Sequence, residues 1–388
     1  MSEKKNEFEN LEVNKYKIGQ TLGRGASGTV CVARNMQTGQ VYACKIILKQ
    51  SVADRGDMDR FQREINVMAF IIHENIVCLH DFFWDSKYFY LIMDYCPGGE
   101  LFDFLVRNGK SDEKTAAFVF YQIASALKIC HESGVAHRDL KPENVLITTF
   151  PYVKLSDFGL SSYNSDVIQN QTFCGSPCYC SPECLCRIPY NGKLSDVWSL
   201  GVILYALVVG DLPWNTSNSS IMIHQIVKGS ISFPVSLSEN LRLLLMGMLK
   251  VNPNERLSLD EALAHPWILE HIDGFPRFKS ESRHSQGPIS LKRIALEYEK
   301  YGKITEKGIV SPFGQIPHHG QSSSGVIVTG LPHLLAKNSI LCNLPNGKCS
   351  SSSITKKLSH PRRSVLAANV LFRRHTRPSF EDDDIADV

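Results

Sequence analysis

The sequence predicts an α+β fold of two lobes, a small antiparallel β-sheet lobe with one key helix followed by a larger, mainly helical lobe. Short β-type runs separated by turn residues occupy the first part of the chain, which favours an antiparallel meander. Helical spacing of apolar residues dominates after the break at Pro97-Gly98-Gly99. Pro213, Pro234 and Pro253 fall between the predicted helices, where helix breakers are expected.

The small lobe is predicted over residues 16–95. Its strand runs alternate in polarity or are rich in β-branched residues. One helix interrupts them, because Phe61, Ile65 and Met68 recur on a single stripe. The predicted elements are strands Tyr16–Leu22, Thr29–Asn35 and Gln40–Leu48, helix Asp57–Phe70, and strands Ile76–Trp84 and Tyr88–Asp94.

The large lobe is predicted over residues 96–267. Its longest apolar run, Leu200–Val209, is too short to cross a bilayer, so no transmembrane segment is expected. The predicted helices are Leu101–Asn108, Asp112–Ser133, Asp196–Val209, Ser219–Lys228, Ser238–Leu249 and Ser258–His265.

The ends of the 388-residue chain differ in composition from these lobes. Residues 1–15 are predicted to be a flexible leader and residues 268–388 a low-complexity, disordered regulatory tail rich in serine. The tail is basic and the body acidic, but the net charge of +3 is too small to indicate nucleic-acid binding. With 12 cysteines and no secretory signal, the sequence indicates a reducing compartment, the cytoplasm or the nucleus.

The glycine pattern of the small lobe indicates phosphate binding, and a lysine in an apolar strand follows it. Gly23, Gly25 and Gly28 form a G-x-G-x-x-G pattern that precedes a strand, whereas dinucleotide-binding folds place it before a helix. Glycines let backbone amides approach phosphate oxygens closely. Lys45 lies in an apolar strand, where it needs a carboxylate partner, and Glu64 on the following helix is well placed. A snorkelling surface lysine remains the alternative.

Three further motifs follow in order along the chain. They are His137-Arg138-Asp139-Leu140-Lys141-Pro142-Glu143-Asn144, Asp157-Phe158-Gly159 and Ser181-Pro182-Glu183. At these residues the chain resembles the eukaryotic protein kinase superfamily over residues 16–267. The resemblance implies the bilobal protein kinase fold and the use of ATP and Mg²⁺.

The resemblance also implies residue roles in catalysis and nucleotide binding. Asp139 orients the substrate hydroxyl and accepts its proton, while Lys45, paired with Glu64, holds the α- and β-phosphates. Asn144 and Asp157 bind magnesium, and Lys141 assists catalysis. The implied nucleotide-binding set is Leu22, Gly23, Gly25, Gly28, Val30, Ala43, Lys45, Glu64, Met93, Asp94, Cys96, Glu143, Leu146 and Asp157.

Structural roles are implied for several other residues. Met68, Leu79, His137 and Phe158 are expected to stack as a spine. Glu183 and Arg256 are expected to form a buried ion pair under the substrate platform. Asp196 is expected to anchor the backbone of the catalytic loop.

Lys141 matches the serine/threonine class of the superfamily, in which Ser176 is expected to hydrogen-bond Asp139 and Lys141. Glu100 and Glu143 border the expected peptide groove and favour substrates with arginine two or three residues before the phosphoacceptor. The segments Gly159–Ser161 and Cys174–Tyr179 resemble the calcium/calmodulin-dependent kinase group, in its AMP-activated protein kinase-like branch.

Thr172 matches the activation-loop site that an upstream kinase phosphorylates, with Arg138 placed to pair with the phosphate. An unmodified threonine is the alternative. Asn170 stands where that branch usually has leucine, and Ser162 stands where many kinases place a basic residue that binds the loop phosphate. Regulatory subunits are a further expected class of partner.

The tail and the cysteine-rich segment carry weaker signals. Thr376 lies in a pattern typical of this branch's substrates. The pattern predicts that Thr376 is autophosphorylated or that its segment occupies the peptide groove. The alternative is a basic tail that is simply solvated. A helix over Ile289–Tyr301 is expected to pack on the kinase body rather than to bind calmodulin. Five cysteines between Cys174 and Cys186 leave zinc binding and redox modulation open.

Two alternatives to an active protein kinase remain at this stage. One is a nucleotide-binding pseudokinase or scaffold in signalling, which would require a damaged Lys45, Asp139 or Asp157, and all three are intact. The other is a small-molecule kinase of the same fold. Three features favour a protein substrate instead: Ser181-Pro182-Glu183, Arg256 and the Thr172 segment.

Overall fold

The computed structural model describes residues 7–25, 28–54, 58–163 and 176–272. The predictions for Thr172, for the helix Ile289–Tyr301 and for Thr376 lie outside the described residues.

A six-stranded antiparallel sheet forms the small lobe, with the strand order β1-β2-β3-β4-β6-β5. The β2–β3 hairpin carries the glycine pattern at its tip, where Gly25 pairs with Gly28. The elements of this lobe are β1 (Glu12–Val13), β2 (Tyr16–Gly25), β3 (Gly28–Asn35), β4 (Val41–Leu48), α1 (Lys49–Asp54), α2 (Met58–Phe70), β5 (Leu79–Trp84) and β6 (Tyr88–Met93).

The second half of the expected leader, residues 7–15, is packed against this sheet. Phe8 is buried, and its ring meets that of Tyr88 edge-to-face with centroids 5.2 Å apart. Lys15 pairs with the buried Asp81 carboxylate at 3.2 Å, and β1 pairs with β2. The expectation of a flexible leader is therefore wrong for residues 7–15, because one buried aromatic ring and one ion pair tie them to the lobe.

Helix α2 packs its apolar stripe on the sheet, as its spacing predicts. Phe61, Ile65 and Met68 are buried, and the Phe61 ring lies 4.6 Å from that of Phe89 on β6. This packing places the helix, and Glu64 with it, behind β4.

The large lobe is mainly helical. Its longest apolar helix, α6, is long and apolar enough to cross a membrane by composition alone, but it is buried in the core of this lobe. The helices are α3 (Leu101–Asn108), α4 (Glu113–Glu132), α5 (Pro182–Leu185), α6 (Gly192–Val209), α7 (Ser219–Lys228), α8 (Glu239–Met248), α9 (Leu259–Leu263) and α10 (Pro266–Ile272). Helix α6 begins before the predicted Asp196, because the Asn191 side chain accepts from the Lys193 amide and caps it.

Short strands line the boundary between the lobes. They are β7 (Gly99–Glu100), β8 (Val135–Ala136), β9 (Val145–Thr149), β10 (Tyr152–Leu155) and β11 (Ser162–Tyr163). The sheet β10-β9-β7 lies under the cleft, and Ile76, predicted to begin a strand, instead makes an isolated bridge to Leu155. The two-lobed α+β architecture predicted from the sequence is confirmed.

Candidate active site

The glycine hairpin leaves open space on one side. A Cβ atom added at Gly23 or Gly25 would meet nothing within 4 Å. Gly28 has φ +141°, and a Cβ there would lie 2.4 Å from the Ile46 carbonyl oxygen, so no larger residue fits. The hairpin thus leaves bare, exposed backbone at Gly23 and Gly25, and Gly28 lets the hairpin fold tightly onto β4.

Lys45 on β4 and Glu64 on α2 form a buried ion pair. Burial alone would favour neutral Lys45, but the negative charges of Glu64 and Asp157 outweigh it and raise the pKa of this ammonium group. The snorkelling alternative is therefore wrong, since the Lys45 side chain is only 9% exposed. The pair fixes a permanent positive charge in the cleft, close to Asp157.

Asp157 lies at the start of the segment that follows β10, with its side chain exposed to the cleft and its backbone at φ 62°. Its Oδ1 accepts from the Gly159 amide at 3.2 Å. The surrounding protein opposes its charge, but Lys45 and the Gly159 N–H outweigh this cost and lower the pKa of Asp157. The carboxylate is therefore ionised at neutral pH and available to a cation.

The catalytic-loop candidates are joined by hydrogen bonds. Asp139 Oδ2 accepts from Lys141 Nζ at 2.8 Å and from Asn144 Nδ2 at 3.2 Å. Asn144 Nδ2 also donates to the Asp139 carbonyl at 2.7 Å. The lysine and the amide thus hold one carboxylate oxygen of Asp139, and the amide nitrogen of Asn144 faces the loop, which directs its oxygen elsewhere.

Asp196 on α6 anchors the loop from below, as expected. Its two oxygens accept from the backbone amides of His137 and Arg138, each at 2.8 Å, and His131 Nε2 lies 2.8 Å from Oδ2. Arg138 has φ 67°, an unfavourable backbone conformation for a non-glycine residue. The buried carboxylate of Asp196 therefore imposes the loop conformation that presents Asp139.

The predicted spine is contiguous with this loop. Met68, Leu79, His137 and Phe158 are all buried, and the rings of His137 and Phe158 lie 5.0 Å apart. His137 Nε2 lies 3.0 Å from the Ser156 carbonyl oxygen, which ties the loop to the segment carrying Asp157.

The resemblance to protein kinases implies that Val30, Ala43 and Leu146 sandwich the adenine, and that Asp94 and Cys96 offer it backbone hydrogen bonds. This adenine slot lies between the β2–β4 sheet and β9. Ala43 pairs with Met93 across β4 and β6, which places the predicted lining residues side by side. Leu22 is exposed at the mouth of the slot, and Val30 and Leu146 are half-buried. In the hinge after β6, neither the carbonyl of Asp94 nor the amide of Cys96 has a hydrogen-bond partner among the described residues. The set therefore forms an apolar slot with polar backbone groups at its edge.

An acidic group borders the cleft on the large-lobe side. Burial first, and then Asp103 and Glu143, raise the pKa of Glu100 to about 7. Burial also raises the pKa of Glu143, whose Oε2 is enclosed without a hydrogen-bond partner among the described residues. Two carboxyl groups that are costly to ionise alone form a site that favours a cationic ligand.

The substrate platform rests on the predicted Glu183–Arg256 pair. Arg256 donates to both carboxylate oxygens of Glu183, at 2.8 and 3.0 Å, and to the Leu194 and Lys250 carbonyls. The buried guanidinium also lies 5.2 Å from the Trp198 ring centre. The expected buried ion pair is therefore present, with every partner named here provided by the large lobe.

Ser176 does not show the expected contacts. It is buried, and its carbonyl accepts from the Tyr179 amide at 3.0 Å. Hydrogen bonds from its hydroxyl to Asp139 and Lys141 are not found within the described parts of the chain.

The cysteine-rich segment is described from residue 176 onward. Within residues 7–25, 28–54, 58–163 and 176–272, no three His, Cys, Asp or Glu side chains are grouped to hold a metal ion. Cys178, Cys180 and Cys184 are buried in the substrate platform, and none of the three is in a disulfide.

One further group near the cleft could not be predicted from the sequence. The Asp94 carboxylate behind the hinge contacts His80, Lys154 and the Cys78 amide. No motif links these residues, because they are separated along the chain and meet only in the folded lobe.

Comparison with known proteins agrees with this geometry. The protein kinase domain model matches residues 16–268. The chain is 39% identical over 266 residues to a probable serine/threonine-protein kinase of Dictyostelium discoideum, covering 68% of this chain and 32% of that protein. It is 40% identical over 259 residues to CBL-interacting protein kinase 5 of Oryza sativa (66% and 56% covered). It is 39% identical over 257 residues to SNF1-related protein kinase catalytic subunit alpha KIN12 of Arabidopsis thaliana (66% and 52% covered).

The match thus spans from about a third to just over half of the length of these three relatives. All three are described as protein kinases, and the SNF1-related relative is consistent with the AMP-activated protein kinase-like branch. The chain belongs to the protein kinase family, in its serine/threonine class.

Proposed function

We propose that the whole chain transfers the γ-phosphoryl group of ATP to serine or threonine hydroxyls of proteins with basic residues before the acceptor. The observation that carries this proposal is that three charged side chains line one cleft. They are Asp139, Asp157 and Lys45, and the last of these is paired with Glu64. Phosphoryl transfer depends mainly on positioning and charge neutralisation, which such a set provides.

Asp139 is proposed to orient the substrate hydroxyl and to accept its proton. Lys141 and Asn144 occupy its Oδ2, so Oδ1 is the oxygen that can face a hydroxyl. Lys141 additionally places a positive charge beside the acceptor, since its Nζ lies 2.8 Å from Asp139. A loop anchored through Asp196 keeps this geometry without help from the substrate.

The residues present fit a magnesium ion. Asp157 supplies an ionised carboxylate, and Asn144 supplies an amide oxygen because its nitrogen is held by Asp139. Such hard oxygen ligands are those that Mg²⁺ prefers, and the bound metal would neutralise phosphate charge. Lys45 is proposed to hold the α- and β-phosphates, with Gly23 and Gly25 covering them through bare backbone.

The preference for basic substrates is supported by Glu100 and Glu143. Both carboxyl groups have raised pKa values, because burial and neighbouring acids disfavour their charge. An arginine side chain would relieve this repulsion through charge-assisted hydrogen bonds, whereas a neutral residue would not. We therefore expect arginine two or three residues before the phosphoacceptor to raise kcat/KM.

Regulation is proposed to act through Thr172, phosphorylated by an upstream kinase and paired with Arg138. Autophosphorylation at Thr376 and binding of regulatory subunits are parts of the same proposal. One relative, CBL-interacting protein kinase 5, is named for an interaction with a partner. The proposed location is the cytoplasm, or the nucleus.

The decisive experiment measures transfer of radiolabelled phosphate from Mg·ATP to an arginine-containing serine peptide. The full-length chain, with Thr172 phosphorylation verified by mass spectrometry, should phosphorylate the peptide. Asp157→Ala and Asp139→Asn should each lower kcat about a thousandfold or more. Nucleotide binding by the phosphorylated wild-type chain without transfer to any member of a peptide library would instead establish the pseudokinase alternative.

Thr172 and Thr376 are tested separately. Thr172→Ala should lower activity and prevent activation by added upstream kinase. Thr376→Ala and truncation before Leu371 should change activity or phosphate stoichiometry, and no change in either would reject the tail as a regulatory site.

A further inference from the structure

The hinge between the lobes contains a short span with few backbone ties. The β4–β6 ladder ends at Met93, the Asp94 amide donates to the Cys78 carbonyl, and the next backbone contact to another element is made by the Gly98 amide, which donates to the Ile147 carbonyl at 2.9 Å. Residues 94–97 lie between these points and carry the backbone groups proposed to meet adenine. The contacts that fix residues 94–97 therefore set the positions of the backbone groups that would meet adenine.

Asp94 is fixed to the small lobe through both its backbone and its side chain. Its amide donates to the Cys78 carbonyl at 3.1 Å, and its Oδ2 accepts from the Cys78 amide at 3.0 Å. Its Oδ1 lies 2.7 Å from His80 Nε2 on β5. These three contacts hold one hinge residue in a single orientation.

The same carboxylate also reaches the large lobe. Lys154 on β10 places Nζ 3.0 Å from Asp94 Oδ2 and donates to the Ile76 carbonyl at 3.4 Å. The two charged side chains are only 16% and 21% exposed, so solvent screens the pair weakly. One carboxylate therefore joins β5, the segment before it, the hinge and β10 behind the adenine slot.

The Asp94 side chain is ionised at neutral pH. Burial opposes ionisation, but the His80 hydrogen bond and the Lys154 charge hold the pKa of this carboxyl well below its ordinary value. An ionised carboxylate only accepts hydrogen bonds, so His80 Nε2 must be the donor. The cluster is thus a pair of charge-assisted contacts, which are stronger than neutral ones.

We propose that Asp94 is a positioning residue for nucleotide affinity, whose carboxylate ties the hinge to both lobes through His80 and Lys154. The tether pre-orients the Asp94 carbonyl and the Cys96 amide, so that ATP binds without first ordering the hinge. This inference depends on the proposed function, because it concerns binding in the same cleft. It adds a role for the Asp94 side chain, distinct from the backbone carbonyl of the same residue that is expected to contact the nucleotide.

The test compares Asp94→Asn, Lys154→Gln and the double variant with the wild-type chain. Asp94→Asn keeps the side-chain shape and an acceptor for the Cys78 amide but removes the charge. We expect KM for ATP to rise about tenfold, the scale of one charge-assisted hydrogen bond. KM for the peptide and kcat should stay within about twofold, because Asp139 and Lys141 are held by other contacts.

The remaining variants isolate the tether from fold stability. Lys154→Gln should shift KM for ATP in the same direction, and the double variant should add little, because both changes remove one contact. Asp94→Glu, which keeps the charge, should recover part of the lost affinity. Asp260→Asn is the matched control, since it removes the same charge from an exposed pair with Lys128 in the large lobe.

Calorimetric binding of Mg·ADP provides a second readout that needs no phosphate transfer. Weaker ADP binding by Asp94→Asn and Lys154→Gln supports the tether, even if the wild-type chain proves to be inactive. Unchanged ADP and ATP affinity with a lowered melting temperature overturns it, because the cluster would then only stabilise the fold. If Asp94→Asn fails to fold, the partly exposed Lys154→Gln decides between these outcomes.

Discussion

The two walls of the cleft hold their charged residues in different ways. On the small-lobe wall, Lys45 depends on one carboxylate, Glu64, carried by a separate helix. On the large-lobe wall, Asp196 accepts two backbone amides, and Arg256 contacts Glu183 and two carbonyls. Each charged residue of the large-lobe wall is thus held by several contacts. On the small-lobe wall, Lys45 is held by one ion pair, which a movement of α2 would break.

This difference separates stability from activity. Loss of a residue in the network should leave buried charges unpaired and weaken the fold. Loss of the single contact should misplace one cation and weaken catalysis more than folding. The predictions below test that separation, beginning with the largest expected effect.

The largest effect is expected at Arg256. Arg256→Lys cannot reproduce the paired contacts to Glu183 or the stacking on Trp198, so it should lower the free energy of unfolding by about 3 kcal/mol. Denaturant unfolding of the full chain measures the loss. Lys128→Gln, in an exposed pair with Asp260, is the control and should leave the unfolding midpoint in place. Equal midpoints for the two variants would contradict the network interpretation.

Glu64→Gln should have the opposite profile. Without the Glu64 charge, Lys45 is drawn towards Asp157, and both lose their positions for the nucleotide. We expect kcat/KM to fall about a hundredfold. The unfolding midpoint should move less than in Arg256→Lys, because Asp157 still offers Lys45 a partner. Glu74→Gln, on an exposed loop of the same lobe, should have wild-type kinetics. An unchanged kcat/KM in Glu64→Gln would show that the small-lobe wall tolerates loss of its one contact.

The packed N-terminal segment adds stability to the small-lobe wall from outside the cleft. Phe8→Ala removes a buried ring from the outer face of the sheet and should cost about 2 kcal/mol of unfolding free energy. Leu11→Ala, on the same segment but 36% exposed, is the matched control and should cost much less. Similar costs for the two would show that residues 7–15 do not depend on Phe8 for docking.

The catalytic residues could be predicted from the sequence because each lies in a short motif whose spacing the chemistry fixes. Asp139 and Asn144 share one loop, and Lys45 and Glu64 lie on adjacent elements with clear periodicity. The small-lobe strands could be predicted for a different reason, because their runs alternate in polarity or are rich in β-branched residues. The strand boundaries differ from the prediction, since β5 begins at Leu79 rather than at Ile76.

Contacts between distant segments could not be predicted in this way. Phe8 is one apolar residue in a polar stretch, without periodicity, and its partner Tyr88 lies on a strand far along the chain. The Asp94–Lys154 pair similarly joins a hinge to a strand that was not predicted as one. Such contacts arise from tertiary packing, which no local pattern records.

The smallest effect concerns substrate selection and depends on pH. The pKa of Glu100 is about 7, so this carboxyl group is mostly protonated at pH 6 and mostly ionised at pH 8. Only the ionised form attracts arginine strongly. KM for an arginine-containing peptide should therefore fall as the pH rises from 6 to 8, by up to about tenfold if only the ionised form binds.

Two comparisons isolate Glu100 from other ionising groups. Glu100→Gln should raise KM for the arginine peptide and flatten its pH dependence, because glutamine does not ionise in this range. A peptide with alanine in place of the arginine should show the same flat profile with the wild-type chain. If the arginine peptide's KM is equally steep in Glu100→Gln, another group is responsible. Selection of basic substrates would then have to be assigned to Glu143 alone. Burial raises the pKa of this carboxyl group as well.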